Sequence, residues 1–148
     1  MAQAEIKRSA RNAAMNLLSR REHSFKELMI KLQQREFSGQ EIETALKQLQ
    51  VDNLLNDERF AESYIHHRIQ KGFGPMRIMQ ELSQRGVSQE TIQTQMECKQ
   101  EDWSKMMQHQ RSRKYGEKIP EDYSERMKQA RFLQNRGFST ESVMRLFR

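Results

Sequence analysis

LQQREFSGQEIETAL (Leu32–Leu46), LSQRGVSQETIQTQM (Leu82–Met96) and LQNRGFSTESVMRLF (Leu133–Phe147) are three copies of one sequence pattern. The copies begin 50 and then 51 residues apart. A period near fifty residues is typical of an array built from one small structural unit. The pattern therefore predicts a repeat protein, whose function would depend on the surface of the array.

The composition supports several small cores instead of one large core. Only 35% of the 148 residues are hydrophobic, whereas 31% are charged. A unit of about 50 residues buries too little surface to be stable alone, but stacked units share interfaces. We expect an elongated, curved array of three units, which span residues 1–54, 55–99 and 100–148.

The apolar residues recur at helical spacing, and strand signals are nearly absent. This spacing predicts an all-α fold with three helices per unit and nine in total. The quoted segment spans the end of the second helix of each unit and the start of the third helix. Its second and third copies carry a glycine suited to a left-handed helix end, and all three carry a serine suited to cap the next helix. These residues are Gly86, Gly137, Ser38, Ser88 and Ser139.

The three copies differ at the turn. Glu36 replaces glycine in the first copy, which predicts a turn that is either different or slightly strained. Only this copy has Glu41 three residues after its serine, which predicts a capping box. Pro75 and Pro120 are each suited to the first position of a second helix, because proline has no amide hydrogen to lose there. The second helix of the third unit is predicted to span about 120–135.

No sequence motif predicts catalysis. Gly72 and Gly74 lack the preceding strand and the following Gly-Lys-Ser/Thr of a phosphate loop. The adjacent His66 and His67 would point about 100° apart on a helix and cannot chelate one metal ion as an i, i+4 pair would. The single cysteine excludes an internal disulfide. With no apolar run of about 20 residues, we expect a cytoplasmic protein that does not span a membrane. The missing motifs and the repeat architecture together indicate that the protein is not an enzyme.

The net charge is +6, and the two ends of the chain carry the excess of basic residues. Helix-turn-helix reading of DNA is disfavoured, since each third helix has an acidic residue in its first turn, where it would repel phosphate. Basic residues recur instead near the junction of the first two helices of each unit, which predicts one basic edge along the array. Scattered, solvated charges are the alternative. The candidate contact residues are Arg20, Arg21, Lys26, Arg68, Lys71, Arg77, Arg111, Arg113 and Lys114.

Several longer motifs resemble the RecX family of bacterial recombination regulators. The central motif is LNDERFA (Leu55–Ala61), followed by Tyr64 and by Gly74-Pro75, and the opening motif is LLSRREHS (Leu17–Ser24). The closing Arg136–Ser139 resembles the end of the family pattern more loosely. Within these motifs we expect Phe60, Ala61, Tyr64 and Leu82 to be core residues, Gly74 and Pro75 to set a turn, and Asp57 to cap the fourth helix.

This resemblance implies regulation of the RecA recombinase. Proteins of this family bind RecA filaments on single-stranded DNA, lie along the helical groove, and suppress the ATPase, strand exchange and coprotease activities. The resemblance further implies that no cofactor is needed, and we expect a monomer. The alternative that the residues leave open is a general basic module that binds single- or double-stranded DNA and acts by competing for it.

Overall fold

The computed structural model describes residues 9–148, and this range contains nine α-helices and no strand. The predicted start of the first helix within residues 1–8 lies outside this range. Successive helices pack in threes, which we call the first, second and third units, so the predicted all-α array of three-helix repeats is confirmed. The helices are α1 (Ala10–Leu18), α2 (Phe25–Gln34), α3 (Gly39–Val51), α4 (Asp57–Gln70), α5 (Pro75–Gln84), α6 (Gln89–Lys99), α7 (Trp103–Tyr115), α8 (Tyr123–Arg136) and α9 (Thr140–Leu146).

Each unit has its own hydrophobic core. Phe60, Ala61 and Leu82 are buried in the second core, and Tyr64 packs against it while half-buried. Leu55, at the start of the predicted second unit, packs in the first core. Trp103 packs against both the second and the third cores, whereas no residue in the range 9–148 is shared by the first two cores.

The turn before each third helix follows the sequence pattern. The Oγ atoms of Ser38, Ser88 and Ser139 each accept a hydrogen bond from the amide three residues later, at 3.1–3.2 Å. Replacing such a cap by alanine costs about 1 kcal/mol. Gly86 and Gly137 have φ values of 82° and 105°, and Glu36 has the same left-handed conformation at 67°. The first unit therefore makes the same turn with strain, because the left-handed conformation costs about 1–2 kcal/mol for a residue that has a Cβ.

Two predicted helix caps were wrong. The carboxylate of Glu41 accepts a hydrogen bond from the Ala10 amide of α1 at 2.9 Å, so it does not complete a capping box with Ser38. The structure instead has a capping box at α2. There Glu27 N donates to Ser24 Oγ, and Ser24 N donates to the Glu27 carboxylate, both at 3.1 Å.

Asp57 also has a different role from the predicted one. Asn56 caps α4, because its side chain accepts a hydrogen bond from the Arg59 amide at 2.9 Å. The Asp57 carboxylate accepts instead from the Phe25 amide, also at 2.9 Å, and so caps α2 of the preceding unit. Both errors have one cause: the carboxylate binds an amide more than 30 residues away in sequence.

The two prolines differ. Pro75 occupies the first position of α5, as predicted. Pro120 lies in the loop before α8, which begins at Tyr123 with Asp122 as its cap, so the predicted proline start of that helix was wrong. The Pro120 carbonyl accepts a hydrogen bond from Arg126 Nε at 2.6 Å, which ties the loop to the helix. Tyr123, the first residue of α8, is 74% exposed.

Neighbouring units are joined at equivalent places. At the first junction, between the first and second units, Ser24 Oγ donates to the Arg85 carbonyl at 2.7 Å. At the second junction, between the second and third units, Gly74 N donates to the Arg136 carbonyl, also at 2.7 Å. Ser24 and Gly74 are the caps of α2 and α5, and Arg85 and Arg136 hold the same place in the repeated segment. The start of each middle helix thus docks on the repeated turn of the next unit.

This docking explains the glycines. A Cβ at Gly86 would lie 2.7 Å from Lys26 Cβ, and one at Gly137 would lie 2.3 Å from Arg77 Cβ. Real Cβ atoms do not approach other atoms so closely. The first unit follows no other unit in residues 9–148, so nothing in that range requires a glycine in place of Glu36. The repeated turn therefore builds each unit and also joins it to its neighbour.

Candidate binding surface

The candidate cations of the first unit lie around the loop between α1 and α2. Arg20 is exposed, and its side chain makes no hydrogen bond or ion pair within residues 9–148. Arg21 pairs with Glu27 at 3.1 Å and keeps about half of its side chain exposed. Both arginines border an open groove of about 410 Å³ whose apolar wall includes Leu18. Lys26 Nζ donates to the Gln84 carbonyl across the first junction at 3.1 Å.

The candidate cations of the second unit converge on one carboxylate. Arg68 binds both oxygens of Glu81 at 2.9 Å, and Arg77 binds the same carboxylate at 3.2 Å. Tyr64 donates its hydroxyl to Glu81 at 2.8 Å. Arg68 was predicted as a contact residue of the basic edge, but this pairing shows that it also supports the fold. Lys71 is exposed and makes no ion pair within the described part of the chain.

This network changes two pKa values. Burial pushes the Glu81 pKa up, but hydrogen bonds from Tyr64, Arg68 and Arg77 outweigh it and hold the pKa below 4.5. Burial, together with the hydrogen bond to the Glu81 carboxylate, raises the pKa of Tyr64 to about 12. The site is therefore an ionised carboxylate held among arginines at neutral pH, a stable scaffold without a titrating acid or base.

The third unit contributes one buried and two exposed cations. Arg111 is only 3% exposed, and its guanidinium donates to Gln129 at 3.1 Å and to the Gly116 carbonyl at 3.0 Å. The prediction that Arg111 is a surface contact was therefore wrong, because this arginine holds the loop after α7. Arg113 and Lys114 are exposed in the last turn of α7.

A connected set of cations and aromatic rings crosses the second junction. Three guanidiniums surround the Phe73 ring: those of Arg68, Arg77 and Arg136 lie 3.8, 4.3 and 4.8 Å from its centroid. Attraction between a cation and the face of a ring favours such contacts by about 0.5–1 kcal/mol at exposed sites. The second and third units both contribute, so the arrangement exists only when they are docked.

The set continues in both directions from Phe73. Arg85 lies over the Tyr64 ring at 4.8 Å, and Lys114 Nζ lies over the Phe132 ring at 4.1 Å. Arg136 also approaches Phe132 at 5.6 Å and so links the two parts. We call this set the cationic strip. Its members are Tyr64, Arg68, Phe73, Arg77, Arg85, Lys114, Phe132 and Arg136.

Only three of the eight strip members, Arg68, Arg77 and Lys114, were predicted as contact residues. Tyr64 was predicted as a core residue, and Phe73, Arg85, Phe132 and Arg136 were not candidates. A signal was present, because an arginine follows the leucine of all three repeated segments by three residues, at Arg35, Arg85 and Arg136. That recurrence indicated that the arginine has a role in addition to forming the turn.

Other reactive groups are dispersed. Within residues 9–148, no group of three or more His, Cys, Asp and Glu side chains could hold a metal ion. Cys98 is exposed. His23 is buried next to Lys31, whose Nζ lies 3.1 Å from His23 Nε2. Among the helices of the described range, none is both long and apolar enough to span a membrane.

The protein is therefore an all-helical array of three tandem three-helix units, with a basic surface across the second junction. Models of the three RecX three-helix domains match the chain in order, the first over residues 10–49, the second over 56–95 and the third over 100–147. The chain belongs to the RecX family, which is a family of regulatory proteins and not of enzymes.

Similar curated proteins cover almost the full chain. The regulatory protein RecX of Pseudomonas fluorescens (strain Pf-5) is 41% identical over 138 residues, which are 93% of this chain and 89% of that protein. The regulatory protein RecX of Halorhodospira halophila is 40% identical over 135 residues, or 91% of this chain and 84% of that protein.

Solved structures show the same fold. The crystal structure of RecX from Lactobacillus salivarius superposes with a TM-score of 0.74 at 23% identity, covering 90% of this chain and 89% of that one. A second crystal structure of a regulatory protein RecX superposes with a TM-score of 0.77 at 24% identity, covering 93% of this chain and 69% of that one.

Proposed function

We propose that this protein is a negative regulator of the RecA recombinase, which binds RecA filaments on single-stranded DNA along their helical groove. Binding there would slow ATP hydrolysis, strand exchange and coprotease activity, and so regulate DNA repair and recombination. The RecX family membership supports regulation, and the architecture supports an extended polymer as the target.

The observation that carries this proposal is the repeated junction. At both junctions the start of a middle helix donates a hydrogen bond to the arginine carbonyl of the next repeated turn, and no hydrogen bond or ion pair within residues 9–148 connects the first unit to the third. The chain is thus an open series that can lie across several subunits of a helical polymer. Several modest contacts on one array give avidity without a deep pocket. The predicted curvature of the series stays a prediction.

The exposed cations are distributed over all three units, which fits a long anionic target. Arg20 and Arg21 are in the first unit, Lys71 in the second, and Arg113 and Lys114 in the third. Exposed charges steer association and add specificity more than affinity. We therefore assign them to positioning the array on the filament, and not to a single anchoring contact.

A binding comparison tests the proposal. Cys98 is the only cysteine and is exposed, so a fluorophore attached there reports binding. Fluorescence anisotropy would be measured with preformed RecA filaments, with naked single-stranded DNA, and with the same DNA coated by a single-strand-binding protein, all at one salt concentration. We expect filament binding to be at least about tenfold tighter than binding to naked DNA, because the array contacts several subunits at once.

The general DNA-binding module is the second candidate, and the cationic strip favours it. It predicts equal affinity for filaments and naked DNA. It also predicts that the protein inhibits DNA binding by RecA and by an unrelated single-strand-binding protein equally. Either result would overturn the filament proposal.

A further inference from the structure

We propose that a groove at the end of α1 is a docking site for an acidic segment of a partner protein, which inserts an apolar side chain between Met15, Leu18 and Leu54. We call it the first-junction groove, because it lies where the first unit meets the connection to the second unit. The inference goes beyond the proposed function, since docking of such a segment requires neither a RecA filament nor nucleic acid.

The floor of the groove is apolar and open to solvent. Met15 and Leu54 are 40% and 42% exposed, and Leu18 lines the same groove. Single exposed apolar residues are ordinary on a protein surface, but these three share one concavity. Its volume of about 410 Å³ falls within the range of about 300–1,000 Å³ that is typical of ligand sites. A methionine side chain adapts to differently shaped partners, so the floor can accept a large apolar side chain.

One wall of the groove is held in place by hydrogen bonds. The Arg59 guanidinium donates to the Glu22 carboxylate and to the carbonyls of Asn53 and Leu54, the last two at 3.1 and 3.2 Å. These bonds fasten the connection between the units to the loop after α1, and so fix the position of Leu54. A preformed groove requires little ordering on binding, which favours affinity.

The rim of the groove has an excess of positive charge. Arg20, Arg21 and Arg59 line it, whereas in the described chain Glu22 is its only acidic lining residue and pairs with Arg59. Arg21 pairs with Glu27, and Arg20 makes no ion pair within residues 9–148. One free cation therefore remains beside the apolar floor.

Further cations lie near Arg20 and Arg21. Burial lowers the pKa of Lys31, and the positive charges of Arg21, Arg35 and Arg20 act in the same direction, whereas Glu27 opposes them. Arg35 is exposed, and its side chain makes no hydrogen bond or ion pair in the part of the chain that the structure describes. Carboxylates bound beside this group would relieve the repulsion among its like charges.

The chemistry of the groove favours a peptide over nucleic acid. None of the lining residues, all of which lie within 9–148, is aromatic, so a base would find no ring on which to stack. A phosphodiester backbone also has no apolar side chain for the floor. An acidic peptide segment supplies both parts, since its carboxylates pair with Arg20 and Arg35 while its apolar side chain fills the floor. Complementary charge then sets the orientation of the segment and the choice of partner.

The test uses synthetic peptides. The probe is a fluorescein-labelled peptide of eight residues, in which two adjacent leucines lie between acidic residues on both sides. Two comparison peptides have the same length, one with alanines in place of the leucines and one with lysines in place of the acidic residues. In fluorescence anisotropy with the full-length protein, we expect the alanine peptide to bind about tenfold more weakly than the probe, and the lysine peptide not to bind. Equal binding of the probe and either comparison peptide would overturn the docking site.

Two double variants, which lose the same charge and one exposed methionine each, test the position of the site. Met15→Gln with Arg20→Gln changes the floor and the free cation of the rim. Met76→Gln with Arg131→Gln is the control, since Met76 is 53% exposed, Arg131 is exposed, and neither lines the groove.

We expect the groove variant to bind the probe about tenfold more weakly than the parent, and the control variant to stay within about twofold. Arg20→Lys alone keeps the charge and should stay within about threefold. Equal losses in the two double variants would contradict the position of the site. The melting temperature of each variant separates lost binding from lost folding.

Methyl signals of isotope-labelled methionines give a readout in the parent protein, which needs no substitution. The probe should shift the Met15 signal and leave the Met76 signal in place. A Met15 signal that does not move in the presence of saturating probe would show that the peptide binds elsewhere.

Nucleic acid is the competing occupant. If the groove variant lost as much affinity for a thirty-residue oligothymidine as for the probe, the peptide assignment would be wrong. If the parent fails to bind the probe but inhibits RecA ATPase, the docking site is wrong and the proposed function stands. If the parent binds the probe in the groove and never affects RecA, the docking site stands and the proposed function is wrong.

Discussion

The two junctions place equivalent residues together but use different chemistry. The second junction has two contacts between backbones, in which Gly74 N donates to the Arg136 carbonyl and Met76 N donates to the Gly137 carbonyl at 2.9 Å. Arg77 and Arg136 add side-chain hydrogen bonds to the Asn135 and Lys71 carbonyls. At the first junction, apart from the connecting residues 53–56, every hydrogen bond and ion pair within residues 9–148 uses a side chain. These contacts are Ser24 with Arg85, Lys26 with Gln84, Phe25 with Asp57, Arg59 with Glu22, and Arg85 with Glu27.

The difference predicts different stiffness. The second junction also has Trp103 packed against both adjoining cores, and a Cβ on Gly74 would lie 2.6 Å from the Gly137 carbonyl. Such close backbone contact allows little relative motion. The ion pairs of the first junction are partly exposed and are therefore weakened by salt. One architecture thus joins two units rigidly and attaches the first unit through adjustable polar contacts.

Alanine at the two repeated glycines should give the largest effects. In Gly137→Ala the new Cβ would lie 2.3 Å from Arg77 Cβ and 2.8 Å from its backbone nitrogen, whereas in Gly86→Ala it would lie 2.7 Å from Lys26 Cβ. In both variants the new alanine must adopt the left-handed backbone conformation, which is unfavourable for a residue that has a Cβ. We expect losses of about 3 kcal/mol for Gly137→Ala and about 2 kcal/mol for Gly86→Ala in the free energy of unfolding by urea. Equal losses would contradict the distinction between the junctions.

Ser24→Ala tests the polar character of the first junction. It removes the capping box of α2 and also the hydrogen bond to the Arg85 carbonyl. Ser38→Ala is the matched control, since Ser38 caps α3 without any bond across a junction. The expected losses in urea unfolding are about 1.5–2 kcal/mol for Ser24→Ala and about 1 kcal/mol for Ser38→Ala. If Ser24→Ala cost no more than the control, the bond across the junction would contribute nothing.

His23, which adjoins the first junction, gives a pH test. Lys31 Nζ donates to Nε2, and by inference Nδ1–H donates to the Arg21 carbonyl, so the buried ring is neutral. Burial lowers its pKa below 6.5, and the nearby Arg21 and Lys31 charges act in the same direction. The unfolded chain therefore binds a proton first, and the stability present above pH 6.5 is lost as pH falls towards the folded pKa.

Between pH 7.5 and 5.5 the parent should lose about 1 kcal/mol or less from this group. His23→Gln keeps a donor and an acceptor but does not titrate, so it should lose less over the same range. Thermal unfolding of both proteins at the two pH values measures the difference. Parallel pH profiles would show that His23 is not responsible.

Glu36→Gly should have the smallest effect and the opposite sign. Glu36 holds the left-handed conformation with a Cβ, and the structure describes no unit docked on it. Glycine removes the strain but adds freedom to the unfolded chain, so we expect a gain of about 0.5 kcal/mol. Urea unfolding would measure it. A loss larger than about 1 kcal/mol would show that Glu36 makes a contact of its own.

The sequence predicted local features well because local spacing determines them. The nine helices, the serine caps at Ser38, Ser88 and Ser139, and the glycine turns all depend on residues a few positions apart. Glu41 and Asp57 were misassigned because their partners, Ala10 and Phe25, are brought near only by tertiary packing.

The binding surface was harder to predict for the same reason. Basic residues are visible in a sequence, but burial is not: Arg111 is enclosed by carbonyls of the loop that follows it. The strip depends on docking of the third unit, which brings Arg136 to Phe73 across 63 residues of sequence. The recurring arginine of the repeated segment was the one sequence signal of that contact.

The most direct test of the central claim is a titration of the protein into preformed RecA filaments on single-stranded DNA while ATP hydrolysis is followed. An array that covers several subunits predicts inhibition at well below one molecule per RecA protomer. An unchanged rate of ATP hydrolysis at equimolar protein would contradict the account.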